Sequence, residues 1–217
     1  MLERFIENHQ FNYIREQVEI IRDSRKKSLP VSVLQAVIDL ANSKISYLFP
    51  EATPSQLAMI DVSTLQTDES YDMFIDGLRP HVRSFPHVSE QQVKKLFPKQ
   101  KKLKLPDVAA LNVNRMSYMS WNDLRSNRKY ILCEKEDHQL IGIECKPSPN
   151  SKKNICAFCN QLAEVSYCVT ITKAKQAKNP DYYKAIGTYI CTDSATCNEK
   201  MTNLNGLMTF VETALTE

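Results

Sequence analysis

Between residues 9 and 27 the apolar side chains Phe11, Ile14, Val18 and Ile21 recur at spacings of three and four, with Arg15, Glu16, Glu19 and Arg22 between them. That period lays one apolar stripe along a helix. Pro30 suits the first turn of a second helix, where a missing N–H costs no hydrogen bond. The core face of that helix is Leu34, Val37, Ile38, Ala41, Ile45 and Leu48, and Pro50 stops it. Thr53, Pro54 and Gln56 read as the N-cap, first-turn proline and third-position partner of a capping box, opening a third helix through Leu57, Ile60 and Leu65. Thr67 caps a fourth, with Tyr71, Phe74, Ile75 and Leu78 inward and Pro80 near its end. Four amphipathic helices with brief connectors predict an antiparallel helical bundle over residues 1–86.

Past Pro86 the period changes. Ser89 and Gln92 make another capping box before a short helix that ends at Phe97, and a lysine-rich stretch then leads to Pro106. Segments 129–134 and 139–146 are rich in β-branched and aromatic residues around a polar connector, the pattern of an antiparallel hairpin. Segment 147–153 (PSPNSKK) reads as a loop, and 165–172 and 187–191 as two more strands. Leu207, Phe210, Val211 and Ala214 recur at helical spacing in a closing helix over 204–215. Trp121 reads as a core anchor, with Asn122, Asn127 and Arg128 making polar turns around it. The expected fold class is therefore α+β: the N-terminal bundle, then an α/β domain over 87–217.

Composition narrows the function. Of 217 residues, 42% are apolar and 24% charged, which places the chain among ordinary globular proteins long enough for two modest cores. The four glycines, Gly77, Gly142, Gly187 and Gly206, lie far apart. No Gly-rich loop can then turn its amides onto a phosphate, so P-loop and Rossmann sites are excluded. The net charge of +3 is mild, but Lys94, Lys95, Lys99, Lys101, Lys102 and Lys104 crowd one stretch. Such a run is ordinarily a solvated face; as a functional alternative it suits a nucleic-acid-binding zinc protein, with lysines on phosphates. The opening residues include Glu3, Arg4, Glu7, Asn8 and His9 where a signal peptide needs an apolar core. No apolar run approaches the roughly 20 residues that cross a bilayer, so a cytoplasmic protein without membrane contact is expected. His9, His81, His87 and His138 fall in no nucleophile–base–carboxylate pattern, so no catalytic residue is assigned and no enzyme is expected.

The cysteines carry the chemistry. Cys156-Ala-Phe-Cys159 is a spacing that lets two thiolates on one tight turn reach a single metal at about 2.3 Å. A second pair, Cys191 and Cys197, follows after enough chain for the hairpin of the last two strands. Strand, Cys191, the capping residues Asp193 and Ser194, then Cys197 in the first helical turn describe a treble-clef finger, with a knuckle and a helix start supplying two ligands each. Four thiolates close a tetrahedral site, the form of structural Zn2+ rather than of catalytic zinc. The helix start adds favourable electrostatics for thiolates. A redox CxxC needs no second pair, and a zinc deaminase needs His-x-Glu and Pro before the knuckle, where this chain has Ile155. Cys133, Cys145 and Cys168 lie inside strand segments and read as buried thiols.

The chain resembles the elongation factor G-binding proteins, which include the FusB-type fusidic-acid resistance proteins of Gram-positive bacteria. The residues that carry the resemblance are His9-Gln-Phe-Asn-Tyr-Ile14, Lys101-Lys-Leu-Lys-Leu-Pro106, Trp121-Asn with Ser126-Asn-Arg-Lys-Tyr-Ile131, and Tyr189-Ile-Cys-Thr-Asp-Ser194 with Cys197-Asn198. The resemblance implies a helical N-terminal domain, a treble-clef zinc domain, and binding to the C-terminal domains of elongation factor G. It also implies release of factor stalled on the ribosome by fusidic acid, without chemistry on the drug. A monomer is expected. By the same resemblance the contact residues are Ile155 before the first ligand, Tyr189 and Phe210 on the last helix; Lys184, close to Ile186, is added as a candidate contact. Resistance members can carry an aromatic residue where this chain has Ile155 and a lysine where it has Ile186. For Phe210, core packing on the last helix stands equally beside contact.

Overall fold

The stripe of the first helix is what its period promised: α1 (Asn8–Lys26) buries Phe11, Ile14, Val18 and Ile21. A computed structural model of the chain describes residues 3–100, 103, 105–106, 111–135, 137–174 and 183–216. They fall into two units, Met1–Arg83 and Ser84–Glu217.

In the first unit α2 (Val31–Tyr47), α3 (Pro54–Met59) and α4 (Asp68–Leu78) close a core with α1 around Ile14, Ile21, Ile45, Ile60 and Tyr71. The Thr53 hydroxyl accepts from the Gln56 amide and the Gln56 side chain accepts from the Thr53 amide, the two arms of the capping box read from sequence. Arg22 of α1 pairs with Asp68 at 2.9 Å and Asp72 at 2.7 Å of α4, and Arg25 donates to the Tyr71 hydroxyl at 2.8 Å, so the two helices are laced along one side. One expectation is corrected. The third helix does not run through Leu65 but stops at Met59. Asn42 Oδ1 accepts the Val62 amide at 2.9 Å and Asp61 Oδ1 the Ser63 amide at 2.8 Å, and side-chain acceptors of this kind draw a backbone out of the helix. Ile60, Val62 and Leu65 still reach the core, from an irregular segment.

The second unit is an antiparallel sheet with helices on it. Its strands are β1 (Tyr118–Asp123), β2 (Arg128–Glu134), β3 (Leu140–Pro147), β4 (Lys152–Ile155), β5 (Leu162–Ile171) and β6 (Ala185–Cys191), in the order β1-β2-β3-β5-β4, with β6 on the other edge of β5. α5 (Glu90–Leu96) precedes the sheet, and α6 (Ser194–Lys200) and α7 (Asn205–Leu215) follow it. The β1–β2 ribbon is buried on both faces. Tyr118, Ile131 and Cys133 enter the core beneath α6 and α7, while Met119, Trp121, Tyr130 and Leu132 enter a second core with Val93 and Phe97. A strand covered on both sides loses its alternation, which is why Tyr130, Ile131, Leu132 and Cys133 form an unbroken apolar run.

Two strands lie where the sequence reading had none. β1 pairs with β2 from Tyr118↔Cys133 to Asp123↔Arg128, so Asn122 and Arg128 are strand residues, and of the three polar neighbours only Asn127 turns the chain, at φ 49°. Trp121 is a core residue at 9% exposure. β4 starts inside the segment read as a loop. It is short, with both lysines exposed, the profile of a sheet edge that resists pairing with other chains.

Candidate metal centre

β4 ends at Ile155 and pairs with Leu162, the first residue of β5, so residues 156–161 must turn within one loop. The turn closes by Asn160 N donating to the Cys156 carbonyl at 2.9 Å and Cys156 N to that of Gln161 at 3.0 Å, with Asn160 left-handed at φ 53°. Asparagine tolerates that region at little cost. The Ala157 amide donates to the Tyr189 carbonyl at 2.8 Å, which docks the knuckle on β6 beside Cys191. Asp193 then caps α6, its carboxylate accepting from Ala195 N at 3.1 Å and Thr196 N at 3.0 Å, and the first turns of that helix present Cys197.

The four sulfurs of Cys156, Cys159, Cys191 and Cys197 all lie within 4.8 Å of one another, and every one of these residues is buried. Cys156 and Cys197 sulfurs are 3.8 Å apart, as are those of Cys159 and Cys191. A tetrahedron with about 2.3 Å from metal to sulfur has edges of about 3.8 Å, so the donor set fits zinc in both number and spacing. The amides of Phe158 and Cys191 each donate to Cys156 Sγ at 3.4 Å, as suits a sulfur that carries negative charge. Four thiols this close do not ionise alike: hydrogen bonds with Cys159, Cys191 and Cys197 hold Cys156 well below the usual thiol range, while the bond to Cys156 drives Cys197 well above it. A divalent cation resolves that conflict by favouring thiolate at all four positions. Among the described residues the cluster is made of four cysteines, with no His, Asp or Glu in it, the donor set of a closed structural site. One structural Zn2+ is what it holds.

The remaining cysteines are elsewhere in the same core. Burial pushes the Cys133 thiol up to about 12 and that of Cys168 to about 11, and Cys145 higher still, so these are inert thiols rather than ligands. Lys129 of β2 is a residue that sequence reasoning passed over. It is 3% exposed, its ammonium donates to the Thr192 carbonyl at 3.4 Å, one residue after Cys191, and burial lowers its pKa.

The residues expected to touch a partner do not share one environment. Ile155 is 49% exposed at the knuckle, and Lys184 is exposed just before β6. Tyr189 is half-buried: its ring meets Tyr167 edge-on at 5.1 Å, and the Lys152 ammonium sits over it at 4.3 Å. Phe210 is inside the domain at 6% exposure, its ring 5.7 Å from that of Phe158. Of the lysine run, Lys94 pairs with Glu90 at 3.5 Å on the exposed side of α5, while Lys101, Lys102 and Lys104 lie outside the described residues.

Two family models match the chain. The FBP C-terminal treble-clef zinc-finger covers residues 93–214, and the N-terminal domain of elongation factor G-binding protein covers residues 5–86. The chain belongs to the elongation factor G-binding protein family. Among solved structures, that of the fusidic acid resistance protein FusC matches with a TM-score of 0.81 at 29% identity, over 97% of this chain and 98% of that one. No curated protein matches. Family membership accounts for both units and for the metal centre that joins the knuckle to α6. No helix among the described residues is long and apolar enough to cross a membrane.

Proposed function

We propose that this protein binds elongation factor G through the surface around its zinc finger, engaging the factor's C-terminal domains, and so promotes release of factor stalled on the ribosome by fusidic acid. The single observation that carries the reading is the match of both units to this family. The surface supports it. Ile155 and its register partner Leu162 are exposed at 49% and 62% at the end of the β4–β5 pair, and Tyr167 and Tyr189 pair across β5 and β6, with Lys152 over the Tyr189 ring. Apolar and aromatic side chains held by a metal-braced loop lose little conformational freedom on binding, which favours hot-spot contacts. Lys184 and Lys152 add positive charge for an acidic partner.

No reaction is needed for this function. A ligand that prefers one conformation of its partner shifts the partner's equilibrium by the difference in affinity, and release follows if the preferred form holds the ribosome weakly. Such a protein acts in the cytoplasm as a monomer and leaves the drug intact. Calorimetry with purified factor is expected to give micromolar or tighter binding, and Tyr189→Ala to weaken it by about 2 kcal/mol with zinc content unchanged. Absence of binding sinks the proposal. Binding without transfer of stalled factor to the supernatant in a ribosome-pelleting assay would reduce it to binding alone.

A further inference from the structure

A cavity of about 120 Å³ opens in the second unit, where the β1–β2 turn meets the ends of β3 and β6. Asn122, Asn127 and Lys129 line it from the β1–β2 ribbon, Ser166 from β5, and Ser148 and Thr192 from just beyond β3 and β6. Its size limits what can enter. The volume is that of about four water molecules, well short of the roughly 300 Å³ at which pockets for whole small molecules begin.

Lys129 makes the cavity more than a packing gap. It is 3% exposed, and its ammonium reaches the carbonyl of Thr192, another lining residue, at 3.4 Å, so the charged end lies at the cavity. That carbonyl is held in place, because Thr192 N and Oγ1 donate to the Glu164 carbonyl at 3.0 and 3.2 Å. An ammonium carries three donors, and one long bond leaves most of that capacity unused. Among the described residues no carboxylate comes within ion-pair distance of it. The other charged groups nearby are committed elsewhere. Arg128 pairs with Glu144 at 2.7 Å, and Asp123 accepts from Arg125 N at 3.1 Å and Ser126 Oγ at 2.8 Å. Asp193 feels the Lys129 charge from further off, but it spends its oxygens on Ala195 N and Thr196 N in capping α6. A buried cation is ordinarily paired, and this one has an open polar space beside it instead.

We propose that the cavity is a binding site for one carboxylate group, which takes the Lys129 ammonium as its counter-ion, with the Asn122 and Asn127 amides and the Ser166 hydroxyl as further donors. Charge selects that class. One ammonium, with Asp123 also lining the cavity, suits a monoanion. Phosphate recognition favours a free arginine fork, and the Arg128 guanidinium is engaged by Glu144. The carboxylate belongs to a free small acid or to an acidic side chain of a protein, and the chemistry at Lys129 is the same for both. The site is independent of factor binding, since none of these residues is among those proposed to contact the factor.

The test titrates the zinc-loaded full chain with sodium acetate, or with N-acetylglutamate α-amide, in which only the side-chain carboxylate is charged. Sodium chloride and sodium sulfate at equal ionic strength are the controls, and the backbone amide resonances of Asn127, Lys129 and Thr192 are followed by NMR. Saturable shifts with a Kd on the order of millimolar are expected for the carboxylates, with weaker or no response to the controls. Lys129→Met keeps the apolar stem in the core and is expected to weaken the carboxylates about tenfold or more, with zinc content unchanged. Ser166→Ala leaves the charge in place, serves if Lys129→Met does not fold, and is expected to weaken them by about three- to tenfold. Tighter binding of the glutamate derivative than of acetate would assign the site to an acidic protein side chain, and the reverse to a free small acid. Shifts that never saturate, sulfate or chloride binding as tightly as acetate, or an affinity that no folded variant lowers would each overturn the proposal. So would loss of zinc from Lys129→Met without a saturable carboxylate response in the parent, which would make Lys129 a counter-charge for the metal centre.

Discussion

His9 lies on α1 with its imidazole partly withdrawn from water, and that burial lowers its pKa from 6.5 to about 4. The folded state therefore binds this proton less readily than the unfolded chain. Stability from the neutral imidazole is complete above about pH 6.5 and is lost as pH falls from there toward about 4. Urea midpoints for the helical unit are expected to drop between pH 7 and pH 5, and to drop less in His9→Gln. An equal drop in both would assign the pH dependence to carboxylates instead. The cysteines differ in what governs them: desolvation pushes the Cys133 and Cys168 thiols up, whereas Cys156, Cys191 and Cys197 are set first by the other sulfurs of their cluster, Cys156 downward and the other two upward.

Among the elements, α7 is seated by an absence. A Cβ on Gly206 would overlap the carbonyl oxygen of Ala157, between the first two ligands, so the helix start lies directly on the knuckle backbone. Leu207, Phe210 and Val211 then bury against Phe158 and the sheet. Gly206 has an ordinary φ, so the constraint is space and not conformation. Gly206→Ala is expected to lift α7 from the knuckle and cost about 1–3 kcal/mol of stability in the zinc unit, seen as a lower thermal midpoint of the zinc-loaded protein. A midpoint within about a degree of the parent would contradict this packing. Gly187 plays the corresponding part on β6, where the Tyr167 ring occupies the place of its missing side chain and is thereby brought edge-on to Tyr189. That aromatic pair has no local signature, since its members come from different strands.

At the scale of the molecule, the first unit closes its own core from Ile6 to Val82, and the second closes two that flank the β1–β2 ribbon. Among the described residues, only the second holds a metal-binding cluster. Structural zinc contributes on the order of 10 kcal/mol to a small domain, about as much as such a domain's whole stability. A strong chelator, or Cys156→Ser, is expected to unfold the zinc unit and abolish factor binding while leaving the helical unit folded. Far-ultraviolet circular dichroism that retains its helical signal, together with loss of near-ultraviolet signal from the region around Trp121, checks this; an intact zinc unit after metal removal would refute it.

The sequence by itself determined the features that rest on local repetition. Period 3.6 marked the helices, capping boxes at Thr53 and Ser89 marked helix starts, and paired cysteine spacings marked a closed zinc site, because each is set by residues within a turn or two of one another. It missed β1 and β4: β1 mixes Ser120, Asn122 and Asp123 among its buried side chains and β4 is a short exposed edge with two lysines, so neither shows an apolar run or the alternation of a half-buried strand. Tertiary structure alone decided that Phe210 faces inward onto Phe158, that the buried Lys129 ammonium reaches the Thr192 carbonyl, and that Asn198 clamps a strand some eighty residues before it. Those placements depend on which segments share a core, and long-range packing of that kind leaves no period in the chain.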